Sequence, residues 1–400
     1  MYVRIPMGVA FAAATMALAQ PACSTPVQDS ATLVTTLGRD TVVMESFTRS
    51  PEQLEGHMLV RIPGTVLIHY ILDLDNSGAP MQSLVDLTPM GTSDVFARRV
   101  KIDFRHDSAF VDLDSVGNHK RGALALPSGV FPSLMTGFGP SYGLYESPEF
   151  FTLYKPLSAA QRGDTIHLTT IDIASGQRSR RAFVKQSATQ LDADFFGIAY
   201  AHVTFDDAGR IATVDASQTT ERTRTKRSDY TDIGNLARRF AAEDRSGRGL
   251  GAASPTVVER GKVGGAPVVI SYSSPRLRGR TVLGSVVPYG EIWRTGANAA
   301  TTLSSGTNLV ISGKIIPAGV YSVWTLPERN GSVALIINSQ HGQWGTDYDG
   351  SHDFARIPMH VTAVATPGED FSITIGDTVP QVLSIAWDRF VWSVPISVAK

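Results

Sequence analysis

Hydrophobic and polar residues alternate along much of the chain, in short runs that are separated by glycine, proline and asparagine. Period-two patterns predict β-strands, because successive side chains of a strand point to opposite faces of its sheet. Residues 41–45, 57–62 and 65–74 form three such runs, bounded by turn sequences at 63–64 and 75–78. The first part of the chain is therefore predicted to be a meander of antiparallel strands.

Two further pairs of runs predict β-hairpins, 165–173 with 180–185 and 199–205 with 211–216. Residues 235–243 depart from the period-two pattern and place apolar side chains four positions apart among charges. That spacing predicts a helix. The N-terminal region is thus expected to be a curved or meandering sheet with a minor helix.

Residues 244–256 are rich in serine, glycine, alanine and arginine without apolar periodicity, which predicts a flexible linker between two domains. Beyond it, strand-like runs recur with turns about eight to twelve residues apart. The last two runs, 381–387 and 390–396, meet at Asp388-Arg389, which predicts a tight hairpin. A β-sandwich or barrel-like domain is expected over residues 257–400. The predicted fold class is all-β and mostly antiparallel.

Composition supports two folded domains, at 31–243 and 257–400. The chain has 400 residues, of which 42% are hydrophobic, enough to fill more than one core. Its 36 Lys and Arg residues nearly balance its 37 Asp and Glu residues. Since no overall field would steer the protein to a polyanion, nucleic acid is not among the expected partners.

The N-terminus has the pattern of a secretory signal peptide at 1–19. Arg4 precedes an apolar run at 7–18, and Ala17 and Ala19 are spaced as a cleavage site. This run is too short for a permanent membrane-spanning helix, and no later segment is long and apolar enough, so no transmembrane segment is predicted. We expect an exported protein, either periplasmic or secreted.

A flexible leader is predicted at 20–30, and Cys23, the single cysteine of the chain, falls within it. With one cysteine, an internal disulfide and a cysteine-based metal site are excluded. Cys23 is interpreted as a passenger in the leader. The alternative is a lipid anchor at Cys23, which would make the protein an outer-membrane lipoprotein.

The C-terminal region carries three long sequence runs, YSSPRLRGR at 272–280, VPYGEIWRTGANAAT at 287–301 and IPAGVYS at 316–322. With Gln343-Trp344-Gly345 and the closing strand, they make residues 266–397 resemble the DUF2911 family of bacterial exported proteins. The function of this family is unassigned. The resemblance implies export and a domain boundary near the linker, and it implies no reaction.

The same runs concentrate side chains suited to ligand binding. Arginine presents fixed forks of donors, and neighbouring amide and aromatic groups suit a carboxylate, phosphate or sugar. Gly and Pro place most of these residues in loops, where binding residues are common. The alternative is structural, with the arginines clamping loops and the tryptophan closing the end of the sandwich. The predicted ligand-binding residues are Arg276, Arg280, Trp293, Arg294, Asn298, Tyr321, Trp344 and Asp349.

An acidic loop at 344–353 contains Asp347, Asp349 and Asp353, whose carboxylates are ligands of the kind that Ca²⁺ prefers. Its spacing departs from a calcium loop in the position of its glycine and in lacking a glutamate at the twelfth position. The histidines lack a zinc spacing. No cofactor is therefore predicted, and Ca²⁺ remains a weak candidate at these three residues.

Known catalytic templates are missing from the sequence, including a G-x-S-x-G elbow and a P-loop. Catalytic residues are therefore left unassigned, and whether the protein is an enzyme stays open. The sequence favours an exported, non-catalytic binding or envelope-associated protein that recognises a polar small ligand or a glycan through C-terminal loops. Two alternatives stay open: a secreted hydrolase of glycosidic or ester bonds using paired carboxylates, and a purely structural envelope protein.

Overall fold

The computed structural model of the chain describes residues 29–91, 97–115, 117–126, 130–133, 157, 159–172, 178–195, 199–219 and 221–399. The predicted signal peptide and Cys23 lie outside these residues. The described chain is mostly antiparallel β-strand, which confirms the predicted fold class. The helical residues that are described include no segment long and apolar enough to span a bilayer.

The N-terminal domain is built on one large sheet. Its strands follow the order β8-β7-β6-β5-β4-β3-β2-β1-β15-β14-β13-β12-β11-β10-β9, so two meanders are joined where β1 pairs with β15. Neighbours are antiparallel except for the parallel pair β9 and β10. The strands are β1 (Asp29–Leu37), β2 (Asp40–Arg49), β3 (Gln53–Val60), β4 (Val66–Leu74), β5 (Pro80–Pro89), β6 (Arg98–Phe104), β7 (Ser108–Ser115), β8 (Asn118–Ala125), β9 (Val130–Ser133), β10 (Thr165–Asp172), β11 (Arg178–Ser187), β12 (Gln190–Phe195), β13 (Ala199–Phe205), β14 (Ile211–Ala216) and β15 (Thr223–Ser228).

Alternating burial explains why these sequences form a sheet. In β4, Val66, Ile68, Tyr70 and Leu72 face the core, while the residues between them are partly exposed. The opposite face of the sheet is covered locally by the helix α1 (Gly234–Arg245), which packs Ala237 and Phe240 against Leu59. Burial of one such large apolar side chain contributes about 2 kcal/mol. The predicted meander, both predicted hairpins and the helix are confirmed.

The C-terminal domain is a sandwich of two sheets around a second core. One sheet has the order β16-β17-β18-β21-β22-β23 and the other β20-β19-β25-β24. Aromatic side chains of both sheets, including Trp387 and Trp392, fill the space between them. The strands are β16 (Thr256–Val263), β17 (Ala266–Ser273), β18 (Ala297–Ser305), β19 (Leu309–Ile311), β20 (Lys314–Ile316), β21 (Gly319–Pro327), β22 (Val333–Asn338), β23 (Asp353–Pro358), β24 (His360–Ile375) and β25 (Val382–Val398).

One sequence-based prediction in this domain is wrong. Asp388-Arg389 does not form a hairpin turn, because β25 continues through it as a single long strand. Its partner β24 is also continuous, and the pairing between them shifts register on both sides of Gly368, which pairs with Asp388. Asp388 has a φ of 49°. A β-bulge thus absorbs the irregularity that resembles a turn in the sequence.

The two domains contact each other through β1–β2 of the first and the β17–β18 connection of the second. The amide of Arg39 donates to the carbonyl oxygen of Arg278 at 3.0 Å. The Arg278 Nη1 atom lies 2.5 Å from Asp40 Oδ2. Gly38 has a φ of 60°, and a Cβ there would lie 2.2 Å from the Arg278 carbonyl oxygen. Only glycine satisfies both the backbone conformation and this close approach.

Candidate ligand-binding site at the domain junction

The candidate site is built on the irregular connection between β17 and β18, residues 274–296. Buried hydroxyl groups hold both of its ends. Ser274 Oγ donates to the carbonyl oxygen of Phe371 at 2.6 Å. Thr301 Oγ1 donates to the carbonyl oxygen of Thr295 at 2.6 Å. Because these groups are buried and bonded, the connection is a defined support for its side chains.

Two of the arginines in this connection have structural partners. Arg276 Nε lies 3.1 Å from Asp370 Oδ1, and its Nη1 donates to the carbonyl oxygen of Leu250 at 3.2 Å. Arg278 is only 2% exposed, and it pairs with Asp40. These contacts match the clamping role that the sequence left open for arginines. They join the linker and the N-terminal domain to the sandwich.

Arg280 and Arg222 lie at the same junction and bond to neutral groups. Arg280 Nε donates to the carbonyl oxygen of Leu277 at 3.2 Å, and its Nη2 donates to that of Arg276 at 2.5 Å. Burial, together with the charges of Arg278 and Arg222, lowers the pKa of Arg280 to about 10. Burial also lowers the pKa of Arg222, which Glu291 partly raises again. Their hydrogen-bond acceptors are neutral carbonyl oxygens, so both positive charges are compensated only in part, by Glu369 and Glu291, with which they form no ion pair in the described structure.

Arg294 differs from the other arginines of the connection because its guanidinium has no partner among the residues that are described. Its Nε is shielded from solvent and unbonded. The backbone of Gly345 packs against it so closely that a Cβ on Gly345 would lie 1.8 Å from Arg294 Cδ. Burial lowers the pKa of Arg294 to about 10, with a smaller contribution from Arg222. Arg294 is therefore still charged at neutral pH.

Trp293, the neighbour of Arg294, points into the sandwich. Its ring stacks on Trp387 at 6.1 Å between centroids and meets Phe371 edge-on at 5.4 Å. It is 6% exposed. Such aromatic packing contributes beyond simple burial. In the described structure this ring is part of the core. This position agrees with the structural alternative, in which the tryptophan closes the end of the sandwich.

The other predicted ligand-binding residues divide between the neighbourhood of Arg294 and other places. Asn298 is exposed with a φ of 58°, and its carbonyl oxygen accepts from the Gly345 amide at 3.0 Å. Trp344, which is 49% exposed, precedes Gly345 and pairs with the strand residue after Asn298. Tyr321 is buried, and its hydroxyl donates to the carbonyl oxygen of Pro317 at 3.0 Å. The structure thus brings Asn298 and the backbone of the Trp344 loop to Arg294.

The three carboxylates of the acidic loop accept hydrogen bonds from residues that are close to them in the chain. Asp349 Oδ1 accepts from the Ser351 amide at 2.9 Å. Hydrogen bonds to the side chain and to the amide of Ser351 lower the pKa of Asp349. Asp353 Oδ2 accepts from the Tyr348 hydroxyl at 2.6 Å and from Arg356 Nε at 2.8 Å. Burial, together with this bond to Asp353, raises the pKa of Tyr348 to about 12. Asp347 Oδ1 accepts from Thr346 Oγ1 at 3.2 Å.

Within the described residues, a different group brings three potential metal ligands together. Asp112 and Asp114 of β7 and His119 of β8 each offer one atom, and these atoms lie within 4.8 Å of one another. Arg121 Nε, however, donates to Asp112 at 2.8 Å, and His119 contacts both carboxylates. The group is therefore a charge-compensated network on an exposed hairpin, where such pairs contribute little.

Sequence reasoning missed Arg222 as a part of this region. It lies in the N-terminal domain, between β14 and β15, with a φ of 59°. Its Nη2 donates to the carbonyl oxygen of Val286 at 3.3 Å, so it reaches across the junction. The local sequence around Arg222 carries no signal for this contact, because the partner is remote in the chain.

No curated protein matches the chain. Among solved structures, a DUF1089 family protein from Pseudomonas aeruginosa is 13% identical with a TM-score of 0.30, covering 43% of this chain and 88% of that chain. An engineered GH43 glycoside hydrolase that displays both endo-xylanase and exo-arabinofuranosidase activity is 9% identical with a TM-score of 0.13, covering 92% and 82%. Similarity at this level carries no argument about function. Residues 254–396 match the model of the family described as "Protein of unknown function (DUF2911)", which confirms the resemblance for that segment of the chain.

Proposed function

We propose that the protein is an exported, non-catalytic binding protein that recognises a polar small ligand or a glycan through an anionic group, which Arg294 of the C-terminal domain holds. One observation carries this proposal. Arg294 is charged and partly buried, its Nε is shielded from solvent, and the described structure offers its guanidinium neither a carboxylate nor a hydrogen-bond acceptor. Removing part of a charged group from water without a partner is costly, so this arrangement favours a partner from outside the chain.

The chemistry of the guanidinium defines the kind of group. Arginine presents five N–H donors in a planar fork that matches a carboxylate or phosphate in two parallel hydrogen bonds. Because Gly345 packs directly on the side chain, the fork is held in place before a ligand arrives. A donor that is already immobilised loses less entropy on binding. Asn298, whose Nδ2 donates to Ser273 Oγ at 3.2 Å, and Trp344 are both exposed, so they are candidates to contact the rest of the ligand.

The proposed location outside the cell depends on the N-terminal sequence pattern alone. The acidic loop is not part of the proposed site, because Asp349 already accepts a hydrogen bond from the Ser351 amide and Asp353 accepts from Tyr348 and Arg356. Trp293 is also not part of it, because its ring is in the core. The proposed site therefore consists of Arg294 as the single anchoring cation, with the exposed residues Asn298 and Trp344 as its neighbours.

A thermal-shift screen of the full-length protein tests the proposal. Uronic acids, sugar phosphates and inorganic sulfate are expected to raise the melting temperature, whereas the matching neutral sugars are not, since a ligand of the folded state stabilises it by mass action. The variant Arg294→Gln keeps most of the packing and removes the charge, so it is expected to lose the response. Arg329→Gln, at an exposed arginine of the same domain, is the control. A response that is equal in Arg294→Gln and in the unmodified protein would refute the proposal.

A further inference from the structure

We infer that His57 and His69, whose rings stack on the face of the N-terminal sheet that α1 covers, act as a pH-sensitive contact. When both rings carry a proton, residues 230–233 are released from that face, and the first turn of α1 is released with them. These four residues, which lead from β15 into α1, are called the lead-in segment below. The inference concerns the N-terminal domain and is independent of the proposed function at Arg294.

The two histidines are direct cross-strand neighbours. His57 of β3 pairs with His69 of β4 in the register of the sheet, and both side chains lie on the face opposite the N-terminal core. Their ring centroids are 4.5 Å apart, and the ring planes differ by 20°. Both residues are partly exposed, so protons from the solvent can reach them. A charge on each ring would therefore face a like charge at close range.

The two rings differ in their acceptors for an added proton. His69 Nε2 lies 2.9 Å from Glu55 Oε1, so a protonated His69 forms an ion pair. The described structure gives the His57 ring no hydrogen bond or ion pair, and its ring contact is with His69. Burial and the charge of His69 lower the pKa of His57. Glu55 and Asp232 act in the opposite sense with smaller effects, so the folded protein favours the neutral form of His57.

The other elements around the pair bring no further uncompensated charge. Asp86 of β5 pairs with His69 in the register, but Arg99 Nη2 donates to Asp86 Oδ2 at 2.8 Å. On the other side, β2 presents the neutral Ser46 opposite His57. The helix α1 packs on this face through apolar side chains. Among the described residues, a doubly protonated pair would therefore face the two carboxylates named above.

The lead-in segment crosses the sheet next to His57. Ser46, the cross-strand neighbour of His57, donates through Oγ to the carbonyl oxygen of Thr231 at 2.6 Å. The Thr231 amide donates to Thr32 Oγ1 at 2.8 Å, and this hydroxyl lies 2.9 Å from Ser46 Oγ. Asp232, which follows, is within electrostatic range of His57. A displacement of the His57 ring would therefore disturb the bonds that hold this segment.

The two ends of α1 are held differently. At its C-terminal end, Asp244 Oδ2 accepts from the Thr65 amide at 2.6 Å. Arg245 Nη1 donates to the carbonyl oxygen of Met90 at 2.9 Å. At its N-terminal end, Ile233 provides no side-chain cap. The first turn of the helix thus depends on the lead-in segment for its position, whereas the last turn does not.

The direction of the effect follows from the lowered pKa of His57. Once the contact is released, the ring binds its proton with the ordinary pKa of 6.5. The contact is therefore fully favourable above about pH 6.5, and it weakens as the pH falls from there through the lower pKa of the folded state. Acid thus favours release of the lead-in segment.

Hydrogen exchange of the full-length protein, followed by mass spectrometry, tests the inference. Residues 230–237 are expected to lose at least about tenfold protection between about pH 7.5 and about pH 5.5, after correction for the intrinsic exchange rate. Residues 241–245, the last turns of α1, are the internal reference, and their protection is expected to stay within about twofold. Equal protection of residues 230–237 at the two pH values would overturn the inference. An equal loss in both regions would show global unfolding and would overturn it too.

A pair of variants identifies the group that titrates. His57→Gln keeps a polar side chain without a proton to gain, so residues 230–237 are expected to keep their protection at the lower pH. The control is His202→Gln, which removes a histidine whose Nδ1 lies 2.6 Å from Asp192 Oδ1 on β12, away from the pair. It is expected to lose protection as the unmodified protein does. If His57→Gln loses as much protection as the unmodified protein, the role of the pair is refuted.

A third variant, His69→Gln, covers the case in which His57→Gln does not fold. It removes the charge that faces His57 and leaves the His57 ring in place. The loss of protection between the two pH values is expected to be smaller by at least about threefold. An unchanged loss would show that repulsion within the stack does not cause the release, and the inference would be wrong.

Discussion

The carboxyl group of Glu221 provides a direct test of how the junction region is built. Glu221 precedes Arg222, between β14 and β15. Burial alone raises its pKa from 4.5 to about 7. Its amide donates to Thr219 Oγ1 at 3.2 Å, but its carboxylate forms no ion pair with the residues that the structure describes. The folded protein therefore holds this carboxyl group where its charged form is disfavoured.

The raised pKa has a definite effect on stability. The folded state binds the proton of Glu221 more tightly than the unfolded state does. Its favourable contribution is complete below about pH 4.5 and is lost as the pH rises through the folded pKa of about 7. At about 1.4 kcal/mol for each pH unit between 4.5 and about 7, the loss of stability is at most about 3.5 kcal/mol. Because the residue keeps partial exposure, we expect about 1–3 kcal/mol.

Urea denaturation of Glu221→Gln at about pH 5 and about pH 8 measures this effect. Glutamine has nearly the same shape and no charge to bury. The variant is expected to be more stable than the unmodified protein at the higher pH by about 1–3 kcal/mol, and to lose less stability between the two conditions. Glu52→Gln, at an exposed glutamate of the same domain, is the control. If Glu221→Gln and the unmodified protein lose the same stability over this range, the carboxylate is solvated and the reasoning is wrong.

Two further predictions concern the support of the candidate site, and equilibrium denaturation checks both. Gly345→Ala would place a Cβ 1.8 Å from Arg294 Cδ, so we expect the free energy of unfolding to fall by about 1–3 kcal/mol and the thermal shift with anions to be lost. Gly306→Ala, whose Cβ would meet open space, should change the free energy of unfolding by less than about 0.5 kcal/mol. Equal effects of the two alanines would contradict this. Asp40→Ala would leave the buried Arg278 without its carboxylate and should cost about 3 kcal/mol, a value that an unchanged denaturation midpoint would exclude.

Local sequence patterns were sufficient for most of the strands. The alternation of β4 and the turns that bound the two predicted hairpins act over a few residues, and each of these elements is present in the structure. The pattern failed at Asp388-Arg389, where a polar pair resembles a turn. There the pairing of β25 with β24 stabilises a continuous strand, and a bulge accommodates the pair. Pairing between strands is a non-local contribution, so the sequence around the pair does not show it.

For the candidate site, too, some features follow from the local sequence and others depend on the tertiary structure. Sequence patterns alone predicted the β class, the resemblance of residues 266–397 to a family and the concentration of arginines between β17 and β18. Only the tertiary structure decided what each side chain does. The adjacent residues Trp293 and Arg294 have different environments, one in the aromatic core and one against the backbone of Gly345.

The physical reason is that charge compensation acts through space. Arg278 is neutralised by Asp40 from the other domain, and Arg276 by Asp370 from a distant strand. Arg294 receives no such partner in the described structure, and the charge close to it, Arg222, is of the same sign. Residue type and spacing predicted that arginines of this connection would bind a carboxylate, a phosphate or a sugar, with a structural role as the alternative. Which of them remained available for a ligand depended on residues far away in the chain.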